Sequence, residues 1–188
     1  MNPMDVQQIK AVLAGAECLV TPDAMEAAYA RMADALNALY ADTCPLVLCV
    51  MNGGLIPAGK LLHRLDFPLE LDYVHATRYG AQTQGSRLNW KRYPDTPLAA
   101  RDVLVIDDIL DEGYTLLAIR EWCLANGAFS VRIAVPVDKV HDRRAPGIQA
   151  DVVGLTVPDR YIFGEGMDYK GYFRNLNGIF ALRESAAS

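Results

Sequence analysis

No apolar run in this 188-residue chain approaches the ~18 residues that a membrane helix needs. The first residues also lack a basic stretch followed by an apolar core, so no secretory signal is expected. Cysteine is sparse, and Cys18, Cys44, Cys49 and Cys123 do not have metal-ligand spacing. They read as reduced, buried thiols of a cytoplasmic protein. His63, His75 and His141 show no metal spacing either, and no role is assigned to them. Positive charge is short as well: 18 Lys and Arg face 23 Asp and Glu, for a formal net charge of −5. Phosphate neutralisation needs clustered cations, and the pairs Lys91-Arg92 and Arg143-Arg144 are too short for that. They read as solvated surface, so a nucleic-acid partner is not expected. Repeats and low-complexity tracts are missing too.

What remains is an ordinary globular composition. Apolar residues make up 52% of the chain, enough for one domain with a sizeable core and a small attached subdomain. Periodicity predicts helices over 5–14 and 22–41. The second has Thr21 as its N-cap, Pro22 at its first position, and Asp23 and Glu26 complementing the dipole. A buried strand is expected over 46–51, a helix near 56–65 and a strand over 69–77. Residues 80–97, polar and rich in Gly, Gln and Pro, read as a long mobile loop with a weak hairpin. Strands follow at 103–106 and 130–137, a loop over 141–147, and short strands near 151–155 and 161–163. Strands alternating with helices imply an α/β fold with a mainly parallel sheet and right-handed crossovers.

Residues 103–115 carry the most information. Val103, Leu104, Val105 and Ile106 form an apolar, β-branched run, as expected of a strand buried on both faces. It ends in Asp107 and Asp108, then Asp111, then Glu112, Gly113, Tyr114 and Thr115, and a helical period begins at Leu116. Open α/β sheets bind ligands at strand carboxyl ends, and helix N-termini bind phosphate through free backbone N–H groups. Two acids beside a phosphate cradle suit a ribose phosphate, whose hydroxyls they can hold directly or through a metal. Each acid also has a bland reading as a turn cap, and Asp111 as a helix N-cap.

This stretch resembles the signature of the type I phosphoribosyltransferases, which bind 5-phosphoribosyl-1-diphosphate. Four further segments narrow the resemblance to hypoxanthine-guanine phosphoribosyltransferases. They are Met51-Asn52-Gly53-Gly54, Tyr79-Gly80, Val137-Asp138-Lys139 and residues 157–174. The five occur in the family's order and span most of residues 46–180. The resemblance implies one phosphoribosyltransferase domain over 1–188, with a core of about 40–155. A small hood would come from about 1–40 and 156–188, and a lid from about 80–97 with Tyr79 and Gly80.

Site roles are implied in the same way. Asp107 and Asp108 would hold the ribose hydroxyls and, with Asp168, bind Mg²⁺. Residues 111–115 would cradle the 5-phosphate. Met51, Asn52, Gly53 and Arg174 would contact the diphosphate, and the family often has a non-proline cis peptide in that loop. Asp111 would exchange a proton with purine N7, its carboxyl raised towards the working range by partial burial. Lys139 would donate to O6 of the base, Tyr161 would stack on it, and the Ile162 carbonyl would accept from N1–H. Three residues depart from the family pattern: Glu112 replaces a small hydroxyl residue, Asn52 a frequent lysine, and Arg78 a small residue.

The implied activity is purine salvage. 5-Phosphoribosyl passes to N9 of hypoxanthine or guanine, giving IMP or GMP and diphosphate, in a cytoplasmic homodimer or homotetramer. A xanthine-preferring enzyme is the nearest alternative. An RNA-binding regulator on the same fold is the alternative from another class, and it would need a basic face that this acidic chain lacks.

Overall fold

The computed structural model describes residues 4–78 and 88–183. The elements in chain order are α1 (Val6–Gly15), β1 (Ala16–Val20), α2 (Pro22–Tyr40), β2 (Leu46–Val50), α3 (Leu55–Leu62), β3 (Glu70–Arg78) and β4 (Leu88–Arg92). They continue with β5 (Asp102–Ile106), β6 (Ile109–Leu110), α4 (Tyr114–Ala125), β7 (Ser130–Val140), β8 (Val152–Pro158), β9 (Ile162–Phe163) and β10 (Ile179–Leu182). The main sheet runs β4-β3-β2-β5-β7, with β6 and β8 also paired to β7. Every pairing in it is parallel except β3 with β4; a hairpin was expected within 80–97, but β4 pairs instead with the preceding strand, and residues 80–87 lie outside the described residues. Tyr79 and Gly80 lie outside the described residues.

Alternation along the central strands builds two cores. Val47 and Cys49 of β2, with Leu104 and Ile106 of β5, join α2 and α3 in one cluster. Leu46, Leu48 and Val50, with Val103 and Val105, join α4 in the other. A strand covered on both faces has no polar side, which is why these runs are uniformly apolar. Each fully buried Leu, Ile or Val there contributes about 1.5–3 kcal/mol.

The hood is a separate antiparallel sheet ordered β1-β10-β9, built from both ends of the chain. The N-terminal segment contributes β1 to it. By contrast α2, expected in the hood, packs against β7 and β8 of the main sheet. Thr21 caps α2 as predicted, its side chain accepting from Ala24 N–H at 3.3 Å. Glu165 ties hood to core: although fully buried, it accepts from Tyr29 Oη at 3.1 Å, Lys60 Nζ at 3.0 Å and Gly178 N–H at 2.9 Å. The four cysteines are free, but only Cys49 and Cys123 are buried; Cys18 and Cys44 are exposed, against expectation.

Candidate active site

The site begins where a strand is interrupted. In β5, Ile106 pairs with Ala134 of β7; in β6, Ile109 pairs with Val137, so the ladder resumes in the same register. Asp107 and Asp108 occupy the gap, at the carboxyl end of the central strand. The chain then turns through Gly113, whose φ of +81° is left-handed, and enters α4 at Tyr114. A side chain there would also strike Ile148 and Leu110, so glycine is required twice over. Glu112 closes the turn against the next loop, its carbonyl accepting from Ala145 N–H at 2.8 Å. The amino end of α4 thereby faces the acid pair across a short loop.

Two further segments complete the wall. The loop after β2 carries a cis peptide between Met51 and Asn52, as the resemblance implied. It approaches so closely that a Cβ on Gly53 would lie 2.1 Å from Asp108 Oδ2. On the other side, Arg174 donates to the Gly166 carbonyl at 2.6 Å, pairs with Asp168, and lies 3.7 Å from Asp108 Oδ2. The second Asp168 oxygen accepts from Gly171 N–H at 2.6 Å.

Together these segments line a cleft of about 660 Å³. It brings together Met51, Asn52, Gly53, Asp107, Asp108, Asp111, Glu112, Gly113, Tyr114, Thr115, Asp168 and Arg174. His75 and Lys91 line it too, although sequence reasoning gave His75 no role and read Lys91 as solvated surface. His75 stands on β3, which was expected as a strand, and Lys91 on β4, which was read as loop; what the sequence did not show is that the pairing of the two brings both to the cleft.

Electrostatics divides the acids. Burial, then the neighbouring Asp108 charge, pushes the Asp107 carboxyl well up; burial raises Asp108 as well. For Asp111, burial also raises the carboxyl, but the Lys139 hydrogen bond and charge, helped by His141, outweigh it and hold it below its ordinary value. The expectation of a raised Asp111 is therefore corrected. Partial burial is present, but two donors converge on the carboxylate: Lys139 Nζ donates to Oδ2 at 2.7 Å, and His141 Nε2 lies 2.7 Å from Oδ1.

Lys139 is buried and joins the cleft through Asp111 rather than lining it. Tyr161 is 54% exposed and meets Tyr169 edge-on at 5.6 Å, while Ile162 is buried opposite Ala181 in the hood. Asp111 lines the cleft, whereas the three residues expected to bind the base, Lys139, Tyr161 and Ile162, are not among its lining residues. His141 is the residue that sequence reasoning missed. Its signal was the two-residue alternation that places it on the same side of an extended chain as Lys139.

Among the described residues, no three His, Cys, Asp or Glu side chains converge as a protein-only metal site. The donor set nevertheless suits Mg²⁺, which binds through few carboxylates and takes its remaining oxygens from phosphates and water. Asp107 and Asp108 are adjacent and buried, and Arg174 lies 3.7 Å from Asp108 Oδ2.

This fold and site define a phosphoribosyl transferase domain, and the family model of that description matches residues 17–170. The chain is 34% identical over 166 residues to the hypoxanthine-guanine phosphoribosyltransferase of Bacillus subtilis (strain 168), spanning 88% of this chain and 92% of that protein. It is also 34% identical over 179 residues to the enzyme of that name from Streptococcus thermophilus (strain CNRZ 1066), spanning 95% and 96%. A crystal structure of a hypoxanthine phosphoribosyltransferase from Staphylococcus aureus superposes with a TM-score of 0.86 at 26% identity, covering 99% of this chain and 100% of that one. The chain belongs to the hypoxanthine-guanine phosphoribosyltransferase family.

Proposed function

We propose that this protein transfers 5-phosphoribosyl from 5-phosphoribosyl-1-diphosphate to N9 of hypoxanthine or guanine, releasing diphosphate. The observation that carries this reading is one continuous cleft. Its buried acid pair and glycine-cornered helix end face the close-packed 51–53 loop, and the Lys139–Asp111 pair stands at its margin.

Each part has a task. The N–H groups of residues 112–115, with the Thr115 hydroxyl, hold the 5-phosphate. Asp107 and Asp108 take the ribose hydroxyls, and the 51–53 loop with Arg174 receives the diphosphate. Magnesium fits at Asp107, Asp108 and Asp168 with oxygens of the donor, and when bound it neutralises charge on the departing diphosphate. The base inserts against Lys139, which turns from Asp111 to donate to O6, while Tyr161 covers the ring and the Ile162 carbonyl accepts from N1–H. Lysine has donors only, so the 6-amino group of adenine meets it donor to donor. A site built for one hydrogen-bond polarity can reject the other by roughly 10⁴-fold.

Because Asp111 is held ionised, it accepts the hydrogen of N7–H. As N9 bonds to C1 of an oxocarbenium-like ribose, N7 becomes acidic and its proton passes to Asp111. The protein acts in the cytoplasm as a homodimer or homotetramer, with these small molecules and not nucleic acid as its partners.

The test is a panel of hypoxanthine, guanine, xanthine and adenine with the ribosyl donor, read as nucleotide formed. IMP and GMP are expected as the main products. Dominant XMP would move the reading to a xanthine-preferring enzyme, and no nucleotide with any base would refute it. Asp111→Asn should lower kcat by about 10²- to 10⁴-fold, with donor KM little changed.

A further inference from the structure

His141 lies just beyond β7, and its ring side chain is only 2% exposed. Its two nitrogens have different neighbours. The backbone N–H of Arg143 donates to Nδ1 at 3.0 Å, and Nε2 lies 2.7 Å from Asp111 Oδ1. An Nδ1 that accepts cannot carry the hydrogen, so the ring hydrogen sits on Nε2 and is donated to Asp111. The loop that sets this orientation is pinned. Arg143 makes a two-pronged contact with Asp159 at 2.6 and 3.0 Å, and Arg144 donates to the Lys139 carbonyl at 2.7 Å.

The two carboxylate oxygens of Asp111 are therefore held by unlike partners. Lys139 reaches Oδ2 on a flexible four-carbon stem and must leave it to meet the O6 of an arriving base. The His141 ring is buried and has nowhere to turn. We propose that His141 is a positioning residue, which holds the Asp111 carboxylate in line with N7 while Lys139 exchanges Asp111 for the base. This rests on the reading of Asp111 as the group that takes the N7 proton. In a role confined to packing, ring volume alone would matter; here the Nε2–H does.

Two variants separate these roles. His141→Leu keeps much of the volume and loses the donor, whereas His141→Gln restores an N–H near the position of Nε2. His141→Leu should lower kcat about 10- to 100-fold, the effect of losing one hydrogen bond to a charged group, with KM for the ribosyl donor unchanged. The acid limb of its kcat profile should also move to higher pH, because the donation from His141 helps to hold the Asp111 carboxyl down. Lys139, Arg143 and Asp159, the other charged groups around the pair, are intact in both variants, so the shift belongs to His141. His141→Gln should recover most of the turnover and the original limb. In a ¹⁵N spectrum of the wild-type protein, the His141 hydrogen should appear on Nε2. A hydrogen on Nδ1 overturns the inference even if His141→Leu fails to fold. A His141→Leu enzyme with wild-type turnover and an unmoved limb also overturns it, leaving the reading of the site intact. A wild-type protein that forms no nucleotide overturns that reading, and the role of His141 with it.

Discussion

Replacing Gly166 by alanine probes how tightly the hood segment and the diphosphate loop must fit. Gly166 has φ of +102°, and a Cβ built there would lie 2.2 Å from the Gly53 carbonyl oxygen and 3.1 Å from Asp108 Cβ. The obstacle at Gly53 is backbone, which cannot rotate away as a side-chain tip can. Real Cβ contacts essentially never fall below 3.0 Å, so the two segments must separate by most of an ångström. Overpacking of this kind costs about 1–3 kcal/mol, and the left-handed backbone adds about 1–2 kcal/mol. Each kcal/mol lowers Tm by about 2–4 °C in a domain of this size. A displacement near 1 Å at a group that positions substrate costs about 100-fold in rate, expected here in kcat/KM for the ribosyl donor. Gly171 supplies the control: its φ is +91°, but nothing lies within 4 Å of its virtual Cβ. Gly171→Ala carries the backbone strain without the collision and should lose stability but little activity. Thermal unfolding and steady-state kinetics on both variants decide the matter. If Gly166→Ala uses the donor as efficiently as Gly171→Ala, the close approach is not functional and the reasoning fails.

Asp107→Asn should abolish turnover yet raise stability. The folded carboxyl lies above its unfolded value, so ionisation opposes folding, and the gain should be absent below the unfolded carboxyl range and grow as pH rises towards the folded value. Unfolding midpoints across pH measure it; a gain that grows as pH falls would reverse the sign and reject the argument. Glu165→Ala should destabilise by about 2–5 kcal/mol, because it leaves Tyr29 Oη and Gly178 N–H without their acceptor around a buried void, while Lys60 keeps Glu26 and Asn177. Urea denaturation would show it, and an unchanged midpoint would mean that Glu165 is not the tie between hood and core.

The parts of this molecule visible in its sequence are those governed by local rules. β5 was legible because four successive apolar residues have only one kind of place in a parallel sheet, and α2 because Thr21 and Pro22 mark its start. β1 and β10 were not legible. They are short and partly exposed, so neither alternates cleanly, and each exists only because the other end of the chain lies beside it. β6, two residues within what reads as a turn, is a strand only by virtue of β7. The acids that line the cleft were all named from the sequence, residues 107–112 because a strand end marks them and Asp168 through the family resemblance, but the sign of the Asp111 shift was not. It depends on Lys139 and His141, 28 and 30 positions away. The shielding of a group is a local property, whereas its partners are a property of the fold.

That distinction also explains why three aspartates on one turn can do two kinds of work. Asp107 and Asp108 are buried together, with the Arg174 guanidinium 3.7 Å from Asp108, and both are driven towards protonation. On the proposed function they would bind a hydroxylic sugar best when positive charge comes with it, as a magnesium-bound donor would bring. Asp111 is the converse case. It has a lysine and a histidine of its own that hold its carboxyl down, and on the proposed function it would give up the lysine to an arriving base. On that reading its basicity would rise as the purine draws Lys139 away from Oδ2, because the strongest influence opposing its burial is withdrawn. A carboxylate weakly basic at rest and more basic in the complex suits a proton acceptor that acts once per turnover. On the proposed function, the tie between Lys139 and Asp111 makes base recognition and proton transfer one event rather than two.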